Sequence, residues 1–151
     1  MGIQLETLRM NMADDNASID SLMVGLYIYG DDLLPEEISS SLGALATRSH
    51  RKGELKELKG GKFNSMKTGM WELRSTRKSL VLSEHIADIF SNLKFPVQLS
   101  SMEGVDEVHL DVYVSGLLRA DGYRHLDLEL TADDMLLLGG IGAAVRFSVV
   151  D

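Results

Sequence analysis

The chain has 151 residues and a net charge of −8; 44% of its residues are hydrophobic, 25% are charged, and none is cysteine. This length and composition predict an ordinary globular protein with a single core, and they exclude a disordered or fibrous chain. The absence of cysteine excludes disulfides, thiolate metal sites and a thiol nucleophile, and it favours a cytoplasmic protein.

The first 21 residues contain several acids but no apolar core of about 7–15 residues, which a signal peptide needs. We therefore expect residues 1–21 to form an N-terminal extension that is flexible or loosely packed. Residues 22–151 are expected to form a single domain. No run in the sequence approaches the roughly 18 apolar residues of a membrane span.

Apolar and other residues alternate over residues 22–29, which predicts a first strand. Pro35 and the two acids after it predict the first turn of a helix, and Gly43 is its expected C-cap. The predicted buried stripe of this helix consists of Ile38, Leu42 and Leu45. Residues 46–54 can continue as extended chain.

Residues 48–78 hold ten of the fifteen basic residues and have a net charge of +7, whereas the segments on both sides are acidic. Such asymmetry can steer a partner of opposite charge, although a solvated basic loop would have the same composition. Within this segment, residues 54–68 combine two adjacent glycines with many lysines, which predicts an exposed loop or hairpin tip. The spacing of Gly60-Gly61-Lys62 does not fit a phosphate-binding loop.

The next unit is predicted as a strand over residues 70–74, followed by a helix from about Ser83 to Leu93. Ser83 is the expected N-cap. The clearest strand follows at residues 108–115, where apolar and polar positions alternate.

We expect the strand at residues 108–115 to form a hairpin with residues 126–130 through a loop at residues 120–122. Val114 would then face Leu128, and Ser115 would face Asp127. In this register Asp111 and Asp127 of the two His-Leu-Asp tripeptides lie roughly 13 Å apart, and His109 and His125 lie further apart still, too far to share a metal. They are interpreted as polar surface positions.

Ser115, His125 and Asp127 would share one face of that hairpin, as a hydrolase triad requires. However, the sequence has neither a nucleophile turn nor an evident oxyanion hole, so a catalytic triad is not favoured. No cofactor fingerprint or metal-binding motif is present, and the sequence favours a protein that is not an enzyme.

The end of the chain predicts a helix capped by residues 131–134 and loosened by Gly139, Gly140 and Gly142, then a strand over residues 143–150. The complete pattern predicts an α+β fold with two layers: a mostly antiparallel sheet with helices packed on one face. Its expected topology is a ferredoxin-like core with an added strand–helix–strand unit.

Several segments are distinctive when taken together: YIYGDDLLPEEI at residues 27–38, Arg51-Lys52-Gly53-Glu54, Gly69-Met70-Trp71 and SEHIADIF at residues 83–90. They resemble a bacterial family, the domain of unknown function 4279. The resemblance covers about residues 22–150 and implies a fold but no activity. The chain departs from the family pattern in its long N-terminal extension and in Gly139-Gly140.

A binding surface is one interpretation of the residues within this resemblance. Its candidate residues are Arg48, Arg51, Lys52, Trp71 and Arg74. Alternatively, Trp71 belongs to the core, and the arginines pair only with nearby acids. Those acids are Asp31, Asp32 and Glu72.

Three function classes stay open at this point. A protein-binding module, of the immunity or antitoxin kind among others, needs a stable charged surface and no catalytic group. A small-molecule-binding or enzymatic domain would need a pocket lined by Tyr27, Tyr29 or Tyr113 beside carboxylates with perturbed pKa values. Nucleic-acid binding would use the basic residues of 48–78, although the overall acidity disfavours it.

Overall fold

A computed structural model describes residues 22–94, 98–116 and 125–150 of the chain. The predictions for residues 1–21 and for the loop at residues 120–122 lie outside these described residues. No helix in the described ranges is long and apolar enough to cross a membrane.

The strands form a mixed five-stranded sheet and a separate two-stranded sheet. In chain order they are β1 Leu22–Gly30, β2 Arg48–His50, β3 Leu55–Glu57, β4 Phe63–Ser65, β5 Gly69–Arg74, β6 Glu107–Ser115 and β7 Ala144–Val150. The large sheet has the order β2-β5-β1-β6-β7, and β3 pairs with β4. All neighbours in the large sheet are antiparallel except β6 and β7, which are parallel. The ferredoxin-like detail of the prediction is not confirmed.

The described ranges contain three helices that connect these strands: α1 Pro35–Leu42, α2 Leu82–Ser91 and α3 Ala132–Ile141. A short 3-10 turn spans Leu99–Ser101. Pro35 starts α1 as predicted, and Gly43 ends it with a φ of 63°, in the left-handed region that glycine adopts easily. At α3, Thr131 and Asp134 form a reciprocal capping box, so the predicted N-terminal cap is confirmed.

The core lies between the helices and one face of the large sheet. Alternate residues of β1 and β6 point into it, together with apolar residues of all three helices. Those helix residues are Ile38, Leu42, Leu82, Ile86, Ile89, Leu138 and Ile141. The α+β class with helices on one face is therefore confirmed. The opposite face of the sheet carries mostly polar and aromatic side chains, and we call it the polar face.

The predicted hairpin between β6 and residues 126–130 is wrong, because β6 pairs with β1 on one side and with β7 on the other. Val114 lies opposite Val149 and Ser115 opposite Val150, not opposite Leu128 and Asp127. Residues 125–130 form no strand. Their three leucines nevertheless pack against the core, so the apolar alternation reports burial without strand pairing.

Three smaller predictions are also wrong. Leu45 is 87% exposed because α1 ends at Leu42, before the helical stripe reaches it. The helix α2 begins at Leu82 with Val81 as its N-cap, and the hydroxyl of Ser83 instead donates to Asp134 of α3 at 2.5 Å. Gly139 and Gly140, which are predicted to loosen and end α3, lie inside it; the helix runs to Ile141, and only Gly142 of the three glycines caps its end.

Candidate functional site

The basic segment contains a hairpin, residues 53–66, that pairs with itself instead of joining the large sheet. Beyond the ladder of β3 and β4, the amides of Gly53 and Leu58 donate to Met66 and Lys62 at 2.7 and 2.6 Å. Gly60 and Gly61 form the tip with positive φ values of 91° and 78°, which a two-glycine turn accommodates without strain. The sequence prediction of a hairpin tip is confirmed, and we call this element the basic hairpin.

The basic hairpin exposes both apolar and cationic side chains. Leu55 and Phe63 are 67% and 65% exposed and lie on the same face, because the strand register places them diagonally across the ladder. Glu57 lies opposite Phe63 on that face. Three lysines complete the hairpin, and within the described residues none forms an ion pair with an acid: Lys56, Lys59 and Lys62.

Arg51 and Lys52 lie at the base of the basic hairpin, and each is paired with an acid. Arg51 forms an ion pair with Glu36 of α1, and the Lys52 Nζ lies 3.2 Å from an Asp31 oxygen. Hydrogen bonds from Thr68 and Lys52 lower the pKa of Asp31. Because these side chains are half exposed, such pairs contribute little to stability, and the cations stay accessible.

Arg48 and Arg74 meet on the polar face around the carboxylate of Glu72, which is fully buried. The Arg48 Nε lies 2.7 Å from one Glu72 oxygen, and the Arg74 Nε lies 2.9 Å from the other. The Tyr27 hydroxyl donates to that second oxygen at 3.0 Å. Register explains the cluster, since Arg48, Glu72 and Tyr27 are direct neighbours across β2, β5 and β1. We call these four residues the Glu72 cluster.

Burial raises the pKa of Glu72, but the hydrogen bonds from Arg48, Arg74 and Tyr27 together outweigh that effect and hold the pKa below its ordinary value. In turn, burial and the neighbouring Glu72 raise the pKa of Tyr27 to about 12. A carboxylate with a lowered pKa and three donors stays ionised and has no proton to give at neutral pH. The Glu72 cluster is thus suited to fixing two guanidinium groups, and poorly suited to acid–base chemistry.

Trp71 lies on the other face of β5, inside the core, with none of its surface exposed. Its indole Nε1 donates to the Ser39 hydroxyl of α1 at 2.9 Å. Of the five candidate binding residues, two therefore meet at Glu72 and two lie beside the basic hairpin. The indole is in the core, which is the alternative interpretation of Trp71 from the sequence.

A second buried carboxylate on the polar face, Asp111 of β6, is much less well paired. It is 4% exposed; the Arg146 Nε lies 3.5 Å from its Oδ1, and the Tyr113 hydroxyl lies 3.4 Å from its Oδ2. Nearby, the rings of Tyr29 and His109 meet edge to face at 6.1 Å. We call these five residues the Asp111 cluster.

Two buried side-chain atoms in the described ranges have no hydrogen-bond partner, and both belong to the Asp111 cluster: Asp111 Oδ1 and His109 Nδ1. A buried polar atom without a partner costs about 1–3 kcal/mol, and more when it is charged. Such atoms are uncommon in folded proteins and need an explanation. Sequence reasoning missed this cluster, because the wrong hairpin removed Arg146 from the neighbourhood of Asp111.

A cavity of about 320 Å³ opens beside the Asp111 cluster. Its lining consists of Tyr29, Gly30, Thr68, Asp106, Glu107 and Arg146. Gly30 lets the chain around Gly104 approach closely, because a Cβ at position 30 would lie 1.8 Å from the Gly104 carbonyl oxygen. The loop is further held by the Asp106 amide, which donates to the Tyr29 carbonyl at 2.8 Å.

The His-Leu-Asp tripeptides do not assemble into a metal site. His109 Nε2 lies 3.1 Å from Glu107, and His125 Nε2 lies 2.9 Å from Asp127 in its own segment. In the described ranges no group of three His, Asp or Glu side chains is arranged to hold a metal ion. The strand pairing on which the Ser115, His125 and Asp127 grouping depended does not form.

Comparison with known proteins gives one family. The family model described as domain of unknown function (DUF4279) matches residues 20–151. This match covers every element of the fold and confirms the resemblance stated from the sequence. No match to the chain was found among curated proteins or among solved structures.

Proposed function

The chain belongs to the DUF4279 family, and we propose that it is a non-catalytic protein-binding module whose basic hairpin binds an acidic protein surface. The observation that carries the proposal is the combination of exposed Leu55 and Phe63 with the unpaired lysines of the same hairpin. Exposed apolar anchors with charged side chains around them are typical of a protein interface.

Electrostatics supports a partner with acidic residues. Lys56, Lys59 and Lys62 form no ion pairs with acids of the described chain, so their charges are available to a partner. Arg51 and Lys52 extend the same cationic surface at the base of the hairpin. Charges of this kind mainly raise the association rate and fix orientation. Burial of Leu55 and Phe63 would supply affinity, about 1.5–3 kcal/mol for each side chain that is fully covered.

A protein partner fits the hairpin better than a nucleic acid does. Glu57 lies on the same face as Leu55 and Phe63, where it would repel a phosphate backbone. The net charge of −8 for the whole chain adds to that repulsion. A protein can place a neutral or basic group opposite Glu57 and acids opposite the lysines, which a uniform polyanion cannot.

The test compares two double variants with the same change in charge. Lys59→Glu with Lys62→Glu alters the basic hairpin, and Arg77→Glu with Lys78→Glu is the matched control in an exposed segment elsewhere. Each tagged protein is used for affinity capture from its own cells, and the retained protein is then purified and titrated calorimetrically. We expect at least about tenfold weaker binding for the hairpin variant and wild-type binding for the control.

Equal affinity for all three proteins would refute the hairpin as the interface. Loss of the captured material after nuclease treatment, with direct binding of RNA or DNA whose affinity falls steeply with salt, would replace the proposal with nucleic-acid binding. An immunity or antitoxin role is the narrower form of the proposal. Its test is whether expression of this protein relieves growth inhibition by the captured partner.

The proposal places this binding in the cytoplasm. The supporting observation is that the sequence of 151 residues contains no cysteine. Fractionation of the producing cells, with the protein detected by antibody, tests the location independently of any partner.

A further inference from the structure

Arg146 presents hydrogen-bond donors that the described part of the protein does not use. Its guanidinium has five N–H donors, yet its one ionic contact within the described residues is with Asp111 at 3.5 Å, longer than a normal hydrogen bond. The arginine side chain also lines the cavity beside the Asp111 cluster. By contrast, Arg48 and Arg74 on the same sheet face donate to Glu72 at 2.7–2.9 Å.

The lining of this cavity also carries carboxylates. Asp106 accepts from the Asp31 amide through its Oδ2 at 3.2 Å, which orients the side chain and leaves Oδ1 open. Glu107 lies next to it, with its side chain 64% exposed. The lining of the cavity thus combines a guanidinium with two carboxylates, together with Tyr29 and Thr68.

We propose that this cavity binds a small zwitterion, an α-amino acid or a compound with the same pair of charged groups. The ligand carboxylate would bind the Arg146 guanidinium, and its ammonium would bind Asp106 and Glu107. The volume of about 320 Å³ lies at the lower end of small-ligand pockets, roughly 300–1,000 Å³, which suits a molecule of amino-acid size.

The buried Asp111 gives Arg146 its position. The charge of the buried Asp111 attracts the Arg146 guanidinium, while 54% of the arginine side chain stays exposed. A metal ion is disfavoured at this place because the guanidinium would repel it. A simple anion would bring no cationic group to Asp106 and Glu107, whereas a zwitterion can contact the guanidinium and the acids, so a ligand with both charges fits best. This proposal does not depend on the basic hairpin.

The twenty common L-amino acids are the probes, each added at millimolar concentration to the full chain. Thermal shift measurements select binders, and calorimetry gives their dissociation constants. The best binder is then compared with its deaminated acid and its decarboxylated amine. We expect saturable binding of at least one amino acid. Both analogues should bind at least about tenfold more weakly, because the deaminated acid lacks the ammonium for Asp106 and Glu107 and the decarboxylated amine lacks the carboxylate for Arg146.

Two variants test the cationic and the acidic side chains of the cavity separately. Arg146→Lys keeps the positive charge over Asp111 but loses the planar fork that binds a carboxylate, and Asp106→Asn weakens the ammonium side at an exposed position. Each is expected to weaken binding at least about tenfold, whereas Arg77→Lys in an exposed segment leaves it unchanged. Binding of none of the twenty probes would overturn the proposal. The proposal would equally be overturned if the deaminated acid bound as tightly as the amino acid, or if Arg146→Lys and Asp106→Asn both kept wild-type affinity.

Discussion

Replacing Glu72 with glutamine is the most direct test of what holds the polar face together. The change keeps the size and shape of the side chain but removes the negative charge that Arg48, Arg74 and Tyr27 surround at 2.7–3.0 Å. The glutamine amide would also bring an N–H₂ group toward donors. We therefore expect Glu72→Gln to lower the free energy of unfolding.

The magnitude follows from the exposure of the partners. Removing one member of a fully buried ion pair costs about 3–5 kcal/mol, because the other charge stays buried without compensation. Here the side chains of Arg48 and Arg74 are 53% and 36% exposed, so water can solvate them after the change. The expected loss is therefore smaller, about 2–3 kcal/mol, which corresponds to roughly 5–10 °C in Tm for a chain of this length.

Urea unfolding followed by fluorescence measures this loss, because Trp71 is the only tryptophan and is completely buried. Glu107→Gln is the matched control: the same chemical change at a side chain that is 64% exposed, expected to stay within about 0.5 kcal/mol. A loss below about 0.5 kcal/mol for Glu72→Gln would refute the reasoning that the buried carboxylate organises the two arginines.

The same variant predicts a pH dependence. The pKa of Glu72 is lower in the folded protein than its ordinary value of 4.5, so the folded state favours the ionised form. Its contribution to stability is fully present above the unfolded pKa and is lost as the pH falls through the folded pKa. The difference in unfolding free energy between wild type and Glu72→Gln should accordingly be constant near neutral pH and shrink below about pH 4.5. A difference that grows with acidity would contradict this sign.

Three further substitutions test a close approach of two chain segments, a helix interior and a helix cap. The free energy of unfolding of each variant is compared with that of wild type by urea unfolding. Gly30→Ala should destabilise the fold by about 1–3 kcal/mol or more, because the new Cβ meets the Gly104 carbonyl oxygen at 1.8 Å; an unchanged midpoint would contradict that close approach. Gly139→Ala should stabilise by about 0.5–1 kcal/mol, since its Cβ would meet no atom within 4 Å in a helix interior, and a loss would show an unforeseen contact. Thr131→Ala should lower the free energy of unfolding by about 1 kcal/mol, because it removes the capping box of α3. If capping is the cause, Thr131→Gly should stay within a few tenths of a kcal/mol of wild type.

Local sequence signals were sufficient for elements whose causes are local. The alternation over residues 22–29, Pro35 in the first turn of α1 and Gly43 at its end each act within a few residues. The two glycines at the tip of the basic hairpin belong to the same kind of signal. These features could be predicted because their physics does not depend on which strand lies next to which.

Strand pairing could not be predicted in the same way. Residues 126–130 alternate like a strand, but their leucines pack on the core without joining the sheet. The open edge of β6 is taken by β7, which arrives after α3 and runs parallel. A sequence pattern reports which side chains are buried, whereas choosing between two apolar segments for one edge depends on long-range packing.

The candidate sites depend on strand register, so they could be predicted only where the strand pairing was predicted correctly. The sequence offered Glu72 as a partner for the arginines, and β5 does place it directly opposite Arg48. It did not suggest Asp111 with Arg146, which lie opposite each other only because β6 and β7 are parallel neighbours. A site built across strands is visible in a sequence only where every strand has been given its correct neighbour.

The contrast between the two buried carboxylates of the polar face bears on the proposal that a ligand binds beside Asp111. Glu72 has three donors within 3.0 Å, whereas Asp111 has one hydroxyl at 3.4 Å and one guanidinium at 3.5 Å. Both carboxylates lie on the same face of the sheet. The fold supplies close hydrogen-bond donors to Glu72 there, but it does not supply them to Asp111. Natural proteins break the rules of polar satisfaction mainly at sites that serve a ligand. The poorly paired Asp111 cluster, and not the well-paired Glu72 cluster, is therefore the part of this face that selection for stability alone does not explain.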